Sequence, residues 1–267
     1  AWEMRTRDPL VDLAVVRDPA FAWPAGVFMV ISFAMVGVLF VLTPFLQLVL
    51  GGDAQKTGVE LLPMIAALIV GALPSDVAAR RLAVRPLVVG GLLVTAAGTL
   101  LMIRANAGTG YGPAALSLAV IGFGMGVSMP PAVNALLSSL PPERTGMGTG
   151  LQRAAQQVGT SFGVAVLGSV LNGAYRSALA PHLAGLPGPA TAAAEASLAG
   201  AFAVAARLPE PLRAGIVGAA RDAYSTGMTQ VLLVCAAIAV VLAVAAGLFM
   251  PVPAPASQAG REGTTIA

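Results

Sequence analysis

The sequence predicts an all-α membrane protein of six transmembrane helices, and three observations carry that reading. Only 10% of the 267 residues are charged and 57% are hydrophobic, whereas a soluble domain has about 25% charged residues. Uncharged stretches of roughly twenty residues recur, the length a helix needs to cross a hydrocarbon layer ~30 Å thick. Arginines collect in the short turns between those stretches, above all in Arg80-Arg81-Leu82-Ala83-Val84-Arg85-Pro86, as expected of loops that stay in the cytoplasm.

Composition also excludes several classes of function. The net charge of +3 is spread over loops, and no basic stripe with interleaved aromatics points to nucleic acid. One cysteine, Cys235, rules out an internal disulfide, and one histidine, His182, rules out a paired-histidine metal site. No phosphate-cradling glycine loop of the nucleotide-binding kinds is present. No span carries an acidic residue at its middle, where ion-coupled pumps usually hold one. The chain opens Ala1-Trp2-Glu3-Met4-Arg5, which is no signal peptide; it reads as starting inside something larger.

Residues 1–19 form a polar lead whose Leu10, Val11, Leu13, Val15 and Val16 could lie along a cytoplasmic membrane surface. The first span is expected over 24–50, with Trp23 at the interface. Pro44 should bend it by removing a backbone donor, and Thr43 and Gln47 face a cavity or, for Gln47, the headgroups. The second is expected over 60–79, with Glu60 in its first turn, where a carboxylate suits the helix dipole. Asp76 and Arg80 stand four apart and can pair; with Arg81 they form either a cytoplasmic gate or a plain topology signal.

The third span, 87–103, is apolar and small-residue rich and reads as peripheral packing. In the fourth, 113–137, Gly122 and Gly126 have the spacing of close helix crossing. Pro130-Pro131 is expected to interrupt that helix, and Asn134 either lines a site or bonds to a neighbouring helix. The fifth span, 151–175, starts polar: Gln152, Gln156, Thr160 and Gly163 share one face, the best cavity-lining candidate, although its first turns could stand in the cytoplasm. Gly159 and Gly163 again permit tight packing. Residues 176–226 read as a long outer segment with two short helices, 190–206 and 210–224, folded over the surface. The sixth span, 227–250, is lipid-facing, and 251–267 is a disordered cytoplasmic tail. Both ends then lie inside a bacterial plasma membrane.

Several stretches in this order carry a resemblance: Thr43-Pro44-Phe45-Leu46-Gln47, Gly58 with Leu62-Pro63, Ala79-Arg80-Arg81-Leu82-Ala83-Val84-Arg85-Pro86, Gly122-Phe123-Gly124-Met125-Gly126, Pro141-Pro142-Glu143-Arg144-Thr145-Gly146 and Val158-Gly159-Thr160-Ser161-Phe162-Gly163. Together they resemble the C-terminal half of a major facilitator superfamily transporter, in the fourteen-helix drug:proton antiporter branch. The resemblance implies two three-helix inverted repeats, a missing N-terminal half, a small-molecule substrate, a proton gradient as energy source and no bound cofactor. It makes Asp76 and Arg80 the C-half form of the cytoplasmic gating motif, with Ala83 where that motif commonly has glycine. Two rival readings are a membrane enzyme, for which the loops offer only scattered charges, and a scaffold subunit, which the recurring prolines and polar faces disfavour.

Overall fold

Helices are the only regular structure among the described residues of the computed structural model. The structure describes residues 19–81, 83–104, 111–138, 145–184 and 186–250; the side chains of residues 19–21, Asp76, Arg80, Arg81 and Thr145 also fall outside it. The expected interfacial lead and cytoplasmic tail lie outside the described residues.

Helix α1 is Pro19–Pro44, continued by a π-helical turn Phe45–Val49. The change of pitch begins immediately after Pro44, where the missing amide interrupts the α-helical ladder. Gly51, with φ of 72°, closes this turn in a conformation that other residues rarely adopt. A short α2, Ala54–Glu60, follows, capped by the Asp53 carboxylate, which accepts from the Lys56 amide at 2.7 Å. Then come α3, Leu62–Arg81, α4, Val84–Met102, and α5, Tyr111–Ser138. Helix α6 is Thr145–Leu179; α7, Gly188–Ala196, and α8, Leu198–Ala205, form a small cap; α9 is Leu212–Phe249. Six helical stretches are long and apolar enough to cross a membrane: Ala22–Val49, Ala54–Ala79, Val84–Met102, Tyr111–Ser138, Gly146–Leu183 and Leu212–Phe249.

Three expectations change. Residues 190–206 form two helices, broken at the extended Ser197, rather than one. Pro130 and Pro131 do not interrupt α5, which is helical throughout Tyr111–Ser138. Each proline removes one rung of a long ladder, while packing on α3 and α4 holds both sides of the break. Residues 210–224 do not form a separate cap helix either. From Leu212 onward they are the first turns of α9, whose 38 residues make it about 57 Å long at 1.5 Å per residue, well beyond a bilayer.

Small residues set the packing. On α5, Gly122 and Gly126 lie directly over the Met64 and Leu68 carbonyls of α3. On α6, Gly159 lies over the Met29 carbonyl of α1, and a Cβ at Gly163 would be 2.9 Å from the Phe33 carbonyl. Each pair is four apart and meets carbonyls four apart, so α3 with α5 and α1 with α6 run parallel in fixed register. Helix α4 packs on α5, and α9 closes the bundle against α4, α6 and α1. Trp23 stacks on Phe249 at 5.8 Å between ring centroids, which puts the start of the first span and the end of the last at the same end of the bundle.

The opposite end is tied by tyrosines. All three in the chain donate to a carbonyl of another element: Tyr111 to Glu60 at 2.6 Å, Tyr175 to Ala194 at 3.1 Å, and Tyr224 to Val41 at 2.8 Å. An ion pair, Arg176 to Glu195 at 3.1 Å, and Arg221 placed 5.7 Å above the Phe202 ring hold the α7–α8 cap to α6 and α9.

Candidate functional site

The middle of the six-helix bundle is closed. Where α1, α4, α5 and α9 meet, around Ala34, Thr95, Met125, Ser128 and Ala239, only about 10 Å³ is open. The hydroxyls there are returned to their own helices: Thr95 donates to the Gly91 carbonyl at 2.9 Å and Ser128 to Gly124 at 2.9 Å. A space that small holds no solute. Any path along these helices runs over a face of the bundle, not through its centre.

Two faces are left bare. Only 18% of the apolar window of the α2–α3 span and 17% of that of α6 is buried, against 39% to 56% for the other four. Their chemistry differs. Helix α3 presents aliphatic side chains, Leu73 being 73% exposed, together with Ile65, Ile69 and Val77. Helix α6 mixes exposed Phe162 and Val166 with exposed Gln157, Ser161, Ser169 and Asn172. The outward side of α9, by contrast, is Leu233, Val240, Val241, Val244 and Leu248, an ordinary lipid-facing surface.

The predicted polar residues fall into separate groups. Gln152, Gln156 and Thr160 are half-buried on α6. The register set by Gly159 over Met29 places Gln152 level with the start of α1. Thr43 and Gln47 are half-buried at and just past the other end of α1, about 30 Å from the level of Gln152 and about 20 Å from that of Thr160 by helix rise. The Thr43 hydroxyl donates to the Leu39 carbonyl at 2.9 Å, and Gln47 sits within the π-helical turn. The two groups share the α1–α6 pair but not one pocket. Asn134 is exposed near the end of α5, and the register of Gly122 over Met64 sets position 134 level with position 76 of α3. The side chains of Asp76, Arg80 and Arg81, the gate residues, lie outside the described ones.

Two polar residues were not singled out for a site by sequence. Glu60 ends α2 rather than starting a span, and its carboxylate is buried. Oε1 lies 3.9 Å from Lys56 Nζ, and Oε2 has no partner among the described residues. Asn172 stands exposed among apolar neighbours on α6 and makes no hydrogen bond to a described residue. A lone amide in an apolar run was the available signal. Among the described residues no group of three or more His, Cys, Asp or Glu could hold a metal.

Six long apolar helices, a closed centre and two bare helices characterise this membrane bundle. The profile of the Major Facilitator Superfamily matches residues 3–164. The chain belongs to that superfamily, whose members are transporters rather than enzymes. It is 32% identical over 276 residues to the tetracenomycin C resistance and export protein of Streptomyces glaucescens, covering 97% of this chain and 51% of that one. It is 28% identical over 244 residues to the multidrug efflux pump LfrA of Mycolicibacterium smegmatis, covering 91% and 48%. With the puromycin resistance protein pur8 of Streptomyces alboniger the identity is 36% over 192 residues, covering 67% and 37%. The chain thus spans about half the length, or less, of these relatives.

Proposed function

We propose that this chain is the C-terminal half of a fourteen-helix drug:proton antiporter and exports small amphipathic compounds by alternating access against an N-terminal half. The observation that carries this reading is the closed centre of the bundle beside a polar, exposed α6. A transport path has room only along a face, and a face becomes a path when a second half stands opposite it. The bare sides of α3 and α6 are where that half docks.

In this reading Gln152, Gln156 and Thr160 line the cytoplasmic part of the path, and Thr43 and Gln47 line its outer part. Asn134 stands with Asp76, Arg80 and Arg81 at the cytoplasmic gate. The arginine-bearing turns lie in the cytoplasm, as their charge favours. The six spans hold acidic residues only towards their ends, Glu60, Asp76 and Asp222, so the proton-carrying carboxylate belongs to the other half. The relatives named for resistance and export favour a drug-like substrate.

The test is ethidium efflux from cells expressing this chain with and without the upstream half. Efflux that requires both halves and stops on adding a protonophore is expected. Efflux by this chain alone, or none when both are present and membrane-inserted, contradicts the proposal.

A further inference from the structure

We propose that a pocket beneath the α7–α8 cap binds one neutral, two-ring aromatic molecule with a single hydrogen-bonding group. This site lies away from Gln152, Gln156 and Thr160 but beside Thr43 and Gln47, assigned above to the outer path, and its test reads binding rather than transport. It is walled by Phe40 and Pro44 of α1, by Leu48 of the π-helical turn, by Leu171, Asn172 and Tyr175 of α6, by Tyr224 of α9 and by the α7–α8 junction, and holds about 330 Å³. That is at the lower end of the range for small-molecule sites, and roughly twice the cavity of about 150 Å³ that accepts a single benzene ring.

The lining sets the chemistry. No charged residue contributes to it, so an ion would enter without a counter-charge. Tyr175 and Tyr224 present rings, because their hydroxyls already donate to the Ala194 and Val41 carbonyls. Ser197 caps α8 by accepting from the Gly200 amide at 3.0 Å. The Asn172 amide is left, without a partner among the described residues, as the polar group that a ligand can meet. Aromatic walls on three sides favour a flat ring through offset or edge contacts.

The full chain in lipid nanodiscs would be labelled with a diazirine derivative of 2-naphthol and the labelled peptides mapped. Labelling is expected at Phe40 and around Asn172, displaced by 2-naphthol, while Val241 and Leu248 on α9 report simple partition into lipid. Gly168 lines the pocket, and a Cβ there would meet only the Phe40 ring at 3.7 Å, so Gly168→Leu fills the space without displacing backbone. It should reduce labelling at Phe40 at least tenfold and leave Val241 unchanged. Asn172→Leu, at an exposed position, should weaken displacement by 2-naphthol about fivefold, the worth of one neutral hydrogen bond, and leave displacement by naphthalene unaltered. Labelling at Phe40 no stronger than at Val241, or indifferent to both substitutions, overturns the site.

Discussion

Gly122 of α5 lies against the Met64 carbonyl of α3 with no room for a Cβ between them. The same arrangement recurs at Gly159 of α6 over Met29 of α1. The obstacle is backbone in both cases, so a methyl group can be accommodated only by separating two helices.

Gly122→Ala should therefore destabilise the bundle by about 1–3 kcal/mol, the usual cost of overpacking. Unfolding in mixed micelles measures it. Gly112→Ala on the same helix, where a Cβ meets nothing within 4 Å, is the control and should change stability by less than about 0.5 kcal/mol.

Gly159→Ala should cost a similar amount, and the double variant with Gly122→Ala should show the sum to within about 0.5 kcal/mol. The two glycines sit in different helix pairs and share no partner. A large departure from additivity would mean that the pairs do not pack independently.

Tyr224→Phe removes the donor that meets the buried Val41 carbonyl beside the proline break. The loss should be about 1 kcal/mol, the usual net worth of one hydrogen bond. Hydrogen exchange should quicken in the π-helical turn Phe45–Val49, and not in α4.

The cap should depend more on Tyr175 than on its ion pair. Arg176 and Glu195 have side chains 56% and 23% exposed, and such pairs contribute at most about 1 kcal/mol. Tyr175→Phe should speed proteolysis within 184–211 more than Glu195→Gln does.

Under the proposed function, Gln156→Leu should lower ethidium efflux about tenfold, ~1.4 kcal/mol, when both halves are present. Its unfolding midpoint should stay unchanged. A parallel loss of stability would make Gln156 a packing residue instead.

Much of this fold was legible in the sequence, for physical reasons. The six crossings follow from uncharged length; Pro44 signalled a disturbance of the first helix, but not that it takes the form of a π-helical turn. The spacing of Gly122 and Gly126 announced a close crossing, but not its partner, because small-residue spacing is the same whichever helix it meets. The start of α9 was missed because Arg213, Arg221 and Asp222 make its first turns polar. Hydropathy cannot distinguish a helix that projects past the membrane from a separate one. The continuity of α5 through Pro130-Pro131 is decided by its neighbours, not by its own propensity. The pocket under the cap joins residues from Phe40 to Tyr224, and such long-range convergence leaves no local pattern. Glu60 looked like an ordinary first-turn carboxylate; its burial comes from how α2 folds back on the π-helical turn.

Six membrane crossings with the arginine turns in the cytoplasm underlie the proposed function. In a Cys235→Ser background, single cysteines replace exposed Ala83, between α3 and α4, and exposed Ala193, in the cap. Intact cells are treated with a membrane-impermeant maleimide. Ala193→Cys should label at once and Ala83→Cys only after permeabilisation; labelling of Ala83→Cys in intact cells, or equal labelling of both, would contradict the arrangement.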